Sequence, residues 1–163
     1  MQTLAMCNKK TSSFGLSLSP KQAEMLIDSK NNSLKKYKRI ELGNSILESL
    51  IDTFCDSQYI YQSNYSETLI QLQEIFYEFK NESLDRLTDS ELLTFMKEQY
   101  ETVCFGDINY LEGTCLDRFA TAIKAGYRQY EESGGKGEYE QFSEEQRWDK
   151  NLYLSVLKDL CWD

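Results

Sequence analysis

Apolar side chains recur along this chain at intervals of three and four residues, the spacing that places them on one face of an α-helix. The clearest series, spaced 4, 3, 4 and 3 residues apart, consists of Tyr65, Leu69, Leu72, Phe76 and Phe79, with Ile75 beside it. Runs of β-branched residues are absent and alternating segments are rare, which argues against sheets. The pattern therefore predicts an all-α protein.

Helix starts are marked by capping boxes, in which a serine or threonine is followed three residues later by glutamine or glutamate. Three segments have this form: Ser19-Pro20-Lys21-Gln22, Thr88-Asp89-Ser90-Glu91 and Ser143-Glu144-Glu145-Gln146. Pro20 also occupies the favoured first helical position. With the apolar series, these starts predict about six to seven helices. The first is a short helix before Ser13. Four further helices begin at Ser19, Asn44, Asn64 and Thr88. Another covers about residues 114–125, and a last helix follows Ser143.

Glycines indicate where helices end. Gly106 and Asp107 are expected to end the helix that begins after Thr88, with Asp107 as a turn or cap residue, and Gly126 is expected to follow the next helix as its C′ residue. Three of the four residues 134–137 are glycine, so residues 131–142 are predicted to form a flexible loop before the C-terminal helix. The other connections are short, which favours antiparallel neighbours in one bundle. We therefore predict a single helical domain over residues 1–163.

The charge is unevenly distributed, with a net value of −9 over the chain. Residues 1–42 contain eight basic and three acidic residues, whereas residues 43–163 contain ten basic and 24 acidic residues. An acidic surface repels phosphate, so nucleic acid and anionic lipid are disfavoured as partners. The basic stretch from Lys30 to Arg39 is expected to be solvated or to dock on the acidic body of the protein, although an acidic partner is an open alternative for it.

The composition excludes several kinds of chemistry. The chain has no histidine, so it cannot form a Ser/His/Asp triad, a Cys/His dyad or a histidine metal site. The usual phosphate-binding glycine motifs are also missing, and Glu74 and Glu78 are interpreted as part of a solvated helix face. No catalytic residue, metal site or cofactor is predicted, and whether the protein is an enzyme is uncertain, with the balance towards no.

The five cysteines, Cys7, Cys55, Cys104, Cys115 and Cys161, are odd in number and contain no CxxC motif. This usage favours a reducing cytoplasm over a disulfide framework. Thiols at helical positions are expected to act as small hydrophobic groups. Cys55 has no evident cationic neighbour in the sequence, so a reactive thiolate is not expected there. No apolar stretch approaches the ~20 residues that a membrane-spanning helix needs.

A tyrosine-rich segment follows the helix from Asn44. Tyr59, Tyr61 and Tyr65 fall within seven residues, and tyrosines suit interfaces because the ring is buried while the hydroxyl stays solvated. We therefore take these three residues as the candidate binding surface. The alternative is that they close one end of the bundle over its core.

Five segments resemble a known family: Leu4-Ala5-Met6-Cys7-Asn8, Phe14-Gly15-Leu16-Ser17-Leu18, Phe54-Cys55-Asp56-Ser57, Phe79-Lys80-Asn81-Glu82-Ser83 and Leu87-Thr88-Asp89. Over roughly residues 3–125 the chain resembles a family of uncharacterised helical proteins from Gram-positive, largely gut-associated bacteria. The resemblance implies a bacterial cytoplasmic protein and transfers neither an activity nor site residues, since fold does not determine function.

The sequence does not establish a function, but it ranks three hypotheses. The first is a non-catalytic protein–protein interaction or regulatory module, which predicts an exposed apolar patch or a groove between helices. The alternative is a small-molecule binder or enzyme with an unfamiliar pocket that lacks histidine and contains shifted carboxyl or thiol pKa values. The third is a regulator that binds nucleic acid through residues 30–39. The oligomeric state stays open.

Overall fold

The computed structural model describes residues 2–40 and 46–132, with side chains from residue 4 to residue 125 of those ranges. Five of its helices are regular: α1 (Gln2–Thr11), α2 (Pro20–Lys36), α3 (Ile46–Phe54), α4 (Tyr65–Glu82) and α5 (Asp89–Thr102). The sixth, α6, begins as one α-helical turn, Ile108–Tyr110, passes through a π-helical segment, Leu111–Cys115, and continues as α-helix over Leu116–Glu132. These ranges contain no strand, and the all-α prediction is confirmed.

Both capping boxes that fall within these ranges form as predicted. The Ser19 hydroxyl accepts a hydrogen bond from the Gln22 amide at 3.1 Å, and the Gln22 side chain accepts one from the Ser19 amide at 2.9 Å. Thr88 and Glu91 exchange the same two bonds at 3.2 and 2.9 Å. Each box satisfies two amides that have no partner inside the helix, which fixes where α2 and α5 begin.

Helix α4 is the centre of the bundle. It packs against α2, α3, α5 and α6, and every member of the apolar series that predicted it is buried, from Tyr65 to Phe79. Three phenylalanines, Phe79 on α4, Phe95 on α5 and Phe119 on α6, lie with ring centroids 4.9–6.2 Å apart. Aromatic pairs at this spacing stabilise a core beyond their area alone, so these rings help to hold α4, α5 and α6 together.

The N-terminal segment is fixed by side chains rather than by helix packing alone. The Asn8 amide nitrogen donates to the Leu18 carbonyl at 2.9 Å, and the Asn8 carbonyl oxygen accepts from the Leu18 amide at 2.8 Å. The buried Thr11 hydroxyl lies 2.8 Å from the Leu16 carbonyl. The connection between α1 and α2 therefore has a defined path, along which Leu16 and Leu18 enter the core.

The predicted bounds of the sixth helix are wrong at both ends. Asp107 caps it, accepting hydrogen bonds from the amides of Asn109 and Tyr110 at 3.0 and 3.3 Å, so the helix begins at Ile108 rather than near Thr114. It also continues through Gly126 to Glu132. A glycine inside a helix costs only about 1 kcal/mol, which is too little to end a helix by itself.

Several predictions concern residues outside the described ranges. These are the Asn44 cap, the glycine-rich loop beyond residue 132, and the C-terminal helix after Ser143. Glu131 and Glu132, which were assigned to that loop, instead form the last residues of α6. Within the ranges that the structure covers, no helix combines the length and the apolar character needed to cross a membrane.

Candidate binding surface

The loop between α3 and α4 is held by its own polar side chains. Asn64 fixes it twice, since its carbonyl oxygen accepts from the Tyr61 amide at 2.7 Å and its amide nitrogen donates to the Tyr59 carbonyl at 3.3 Å. The Ser57 hydroxyl accepts from the Tyr59 amide at 3.2 Å. Asn64 acts on the loop rather than as a side-chain cap of α4, because it makes no capping hydrogen bond to that helix.

The three candidate tyrosines lie at three different depths. Tyr61 is 59% exposed, Tyr59 is half-buried, and Tyr65 is only 2% exposed. Burial raises the pKa of Tyr65 to about 12. Tyr65 is therefore corrected from a surface residue to a core residue, because the first turn of α4 directs it inward with Leu69 and Leu72. Whether Tyr59 and Tyr61 bind a partner stays a prediction.

Tyr59 packs against the core beneath the loop that carries the tyrosines. Its ring meets the ring of Tyr100 edge-to-face, with centroids 6.0 Å apart and planes at 86°. Tyr100 is itself buried against Phe54. Burial, followed by the neighbouring Glu101, Cys104 and the two tyrosines, raises the pKa of Tyr100 to about 12. Tyr59 thus closes the end of the core, as the alternative interpretation of the tyrosine segment proposed, while Tyr61 remains in solvent.

Sequence reasoning missed Phe105, which directly precedes Gly106 in the turn that packs against Tyr59. Its side chain is 69% exposed and its backbone adopts φ +49°, a conformation that is unfavourable for a bulky residue. The next residue, Gly106, has φ +83°, and a Cβ there would lie 2.5 Å from the Tyr59 ring. The Gly106 amide donates to the Tyr100 carbonyl at 2.9 Å. The turn after α5 therefore packs tightly against Tyr59, and the Phe105 side chain is left exposed to solvent.

We define the aromatic patch as Tyr59, Tyr61 and Phe105. Three acidic residues, Asp56, Glu101 and Asp107, are close in sequence to the members of the patch. Lys97 offsets part of this charge, since its ammonium group bridges Asp56 and Glu101 and donates to the Thr53 carbonyl at 3.0 Å. The same contacts tie α5 to the end of α3, so the support under the patch is fixed.

Two grooves lie between helices in the described part of the chain. The α2–α4 groove, of about 490 Å³, includes Asp28, Lys36, Tyr37, Glu74 and Glu78 among its lining residues. Burial, followed by the neighbouring Glu112, raises the pKa of Glu78. Glu78 is therefore half-buried in a groove rather than fully solvated as predicted, whereas Glu74 is exposed and faces the Ser29 hydroxyl at 3.4 Å.

The second groove, between α1, α2 and α3, is also about 490 Å³ and is mainly apolar. Leu4, Ile27, Leu47 and Ile51 are among its lining residues. The interaction hypothesis predicted an exposed apolar patch or a groove between helices. The described part of the chain therefore contains both an exposed aromatic patch and grooves.

Part of the basic stretch docks on the acidic body. The Arg39 guanidinium lies 3.0 Å from the Asp85 carboxylate, and the Lys36 ammonium lies over the ring of Tyr37 at 5.3 Å. The first of these contacts fits the expectation that the stretch packs on its own protein. Exposed pairs of this kind contribute at most about 1 kcal/mol, so they position the chain more than they stabilise it.

The two half-buried thiols, Cys7 and Cys55, are not activated. Burial, followed by nearby carboxylates, raises the pKa of both Cys7 and Cys55. At Cys55 the positive charge of Lys97 lowers the pKa, but by less than burial and the carboxylates raise it. Within the described ranges, no group of three or more cysteine, aspartate or glutamate residues is placed to hold a metal ion.

These features define an all-α protein whose most distinctive surface is a supported patch of exposed aromatic residues. The sequence matches a family of unknown function, DUF6323, over residues 3–129, and the chain belongs to that family. No curated protein and no solved structure matches the chain. The family assignment supplies no activity, so any function has to be argued from the surface itself.

Proposed function

We propose that this protein is a non-catalytic protein–protein interaction module that binds its partner through the aromatic patch. The observation that carries the proposal is Phe105, a large apolar side chain held in solvent on a left-handed backbone. Such strain costs of order 1–3 kcal/mol and tends to occur at functional sites. A core-filling role does not explain it, because most of the Phe105 side chain is exposed.

The neighbouring side chains support the same function. Tyr61 is exposed beside a half-buried Tyr59, and tyrosine and phenylalanine are enriched in the buried centres of interfaces. The loop that carries the tyrosines is fixed by Asn64. A fixed loop loses little conformational entropy on binding, which increases affinity.

The charge around the patch suggests the chemistry of the partner. Asp56, Glu101 and Asp107 surround the same end of α5, and Lys97 is already engaged by two of them. A partner that presents an apolar side chain flanked by lysine or arginine would match this surface. Its affinity should fall as salt concentration rises, because exposed charges are screened.

The experiment compares three forms of the protein in cross-linked purifications from the native host. These are the wild type, the double variant Tyr61→Ser/Phe105→Asn, and the control Leu84→Asn. Leu84 is also half-exposed and also has a positive φ, of 55°, but it lies at the other end of α5. The recovered partner is then purified and titrated against each form.

We expect the double variant to raise the Kd at least ~10-fold, since central interface residues each contribute about 2 kcal/mol or more. The Leu84→Asn control should bind like the wild type. The proposal is overturned if no partner is enriched by the wild type, or if the double variant binds as tightly as the wild type.

The second candidate function is a small-molecule binder that uses the α2–α4 groove. It is favoured by the raised pKa of Glu78 in a groove of about 490 Å³, as shifted carboxyl groups in concave sites are typical of ligand binding. A metabolite that raises the melting temperature of the wild type and of the double variant, but not of Glu78→Gln, would favour this alternative.

We also propose that the protein works in the cytoplasm of a bacterium. The free state of Cys7, Cys55, Cys104 and Cys115 supports this location, since disulfides are rare in reducing compartments. An origin in Gram-positive, gut-associated bacteria rests on the sequence resemblance alone. Fractionation of the native host, with detection of the chain by antibody, tests the location.

A further inference from the structure

Two buried cysteines approach each other where α5 gives way to α6. Cys104 follows α5 and Cys115 ends the π-helical segment, and their sulfur atoms lie 3.5 Å apart. Their exposed fractions are 5% and 1%. Sequence spacing gave no sign of this pair, because the two residues are eleven positions apart and a turn, a cap and a π-helical segment separate them.

The pair has a polar environment inside an otherwise apolar core. The Cys115 thiol lies 3.8 Å from the side-chain oxygen of Gln99. Gln99 is fully buried, and its amide nitrogen has no hydrogen-bond partner among the described residues. A 180° rotation of that amide would place the N–H group towards Cys115, where it could donate to a thiolate. A buried donor of this kind stabilises the charged form of the sulfur.

The two thiols have different acidities. The hydrogen bond from Cys104 lowers the pKa of Cys115, and the positive charge of Arg118 acts in the same direction against the effect of burial. The same hydrogen bond and burial raise the pKa of Cys104. Cys115 is therefore the thiol that loses its proton first, while Cys104 retains its own.

We propose that Cys104 and Cys115 form a peroxide-sensitive dithiol site that closes to an intramolecular disulfide. The Cys115 thiolate attacks one oxygen of hydrogen peroxide, the O–O bond breaks, and the hydroxide released takes up a proton to become water. The Cys104 sulfur then attacks the sulfur of the Cys115 sulfenic acid. The S–O bond breaks, and the departing hydroxide takes the Cys104 proton as a second water.

Closure to a disulfide needs only a small movement of the two sulfur atoms. A disulfide holds its sulfur atoms about 2.05 Å apart, so the two sulfurs must approach by roughly 1.5 Å. Between them lie the left-handed turn at Phe105 and Gly106 and the π-helical segment. π-helical segments are less favourable than regular helix, so we expect the adjustment to fall on Leu111–Cys115 rather than on the regular turns of α5 and α6.

The test treats the purified full chain with hydrogen peroxide, then denatures it, blocks free thiols with iodoacetamide and digests it with trypsin. Cys104 and Cys115 lie on one tryptic peptide, residues 98–118, because Lys97 and Arg118 are the cleavage sites. We expect this peptide to lose two hydrogens and to carry no alkyl group, and to regain two alkylation sites after reduction. In Cys104→Ser, dimedone should label Cys115 as a sulfenic acid.

Cys55→Ser is the matched control, since it removes a partly exposed thiol and leaves the pair intact. It should form the disulfide as the wild type does. The proposal is overturned if both thiols of the 98–118 peptide remain alkylated while Cys7 or Cys55 is oxidised. Because the readout is the mass of a peptide, this result is independent of whether the aromatic patch binds a partner.

Discussion

The two ends of α5 use the same unusual backbone conformation in different surroundings. Before the helix, Leu84 and Asp85 have φ values of 55° and 58°, and after it Phe105 has a φ of 49°. At the first end, Asp85 pairs with Arg39, Asp89 pairs with Lys80, and a capping box begins the helix. At the second end, an exposed phenylalanine precedes a glycine that packs against Tyr59, and Cys104 belongs to a buried thiol pair.

This difference indicates that the strained turn at the first end serves the structure, whereas the strained turn at the second end serves function. At the first end, polar contacts accompany the turn: Asp85 pairs with Arg39, and the Ser83 hydroxyl donates to the Lys80 carbonyl. The second end presents a larger and more exposed apolar side chain, Phe105 at 69% against Leu84 at 50%, and its turn depends on Gly106 packing against Tyr59. We therefore expect substitutions at the first end to affect folding stability alone. Substitutions at the second end should affect folding stability, partner binding or both.

The largest expected effect lies between the two ends, at the phenylalanine cluster. Phe95→Ala removes the ring that contacts both Phe79 and Phe119. Truncating a buried phenylalanine costs about 3–5 kcal/mol, so the free energy of unfolding should fall by that amount in urea titrations. A loss of less than ~1 kcal/mol would show that the two ends are not joined by a packed core.

The next largest effect is expected at the second end. Gly106→Ala combines a positive φ with a Cβ 2.5 Å from the Tyr59 ring, whereas Gly15→Ala has a similar φ of 72° and nothing within 4 Å. The left-handed conformation alone costs about 1–2 kcal/mol, and overpacking adds about 1–3 kcal/mol. Gly106→Ala should therefore be the more destabilising of the two in chemical denaturation. Equal losses would mean that Tyr59 moves aside freely and does not support the turn.

A smaller effect should separate the threonines at the two ends of α5, Thr88 as its N-cap and Thr102 as its last residue. Thr88→Ala removes the capping hydrogen bond to Glu91 and should cost about 1 kcal/mol. Thr102→Ala removes only a bond to the Glu98 carbonyl of the preceding turn, so it should lie within about 0.5 kcal/mol of the wild type. Thermal unfolding of the two variants would measure the difference. A Thr102→Ala loss as large as that of Thr88→Ala would contradict the view that the first end is fixed by capping.

The same comparison shows what the sequence could and could not predict. The first end was predictable because capping is local, and Thr88 and Glu91 are three residues apart. The apolar series of α4 was equally informative, since periodicity records which face is buried. The start of α6 was missed because Asp107 was interpreted as a cap without extending a helix from it, and the apolar signal became clear only after the π-helical segment.

The candidate site was predictable only in part. The tyrosine cluster identified the correct loop, but spacing alone could not tell that Tyr65 enters the core with the first turn of α4. Phe105 and the Cys104–Cys115 pair depend on tertiary contacts between segments distant in sequence, which no local pattern records. A bulky residue directly before the helix-breaking Gly106 was the one available signal, and it becomes informative only when its backbone angle is known.

A small stability effect, and the most informative one about function, is expected for the pair Phe105→Asn and Leu84→Asn. Asparagine tolerates the left-handed conformation better than phenylalanine or leucine, and both native side chains are at least half exposed. Each change should therefore leave the free energy of unfolding within about 1 kcal/mol of the wild type, or raise it. If Phe105→Asn is strongly destabilising, Phe105 is a packing residue and the distinction between the two ends fails. If both variants are equally stable and only Phe105→Asn weakens the partner, the strain at the second end serves binding, because an equally strained residue at the first end can be replaced without that loss.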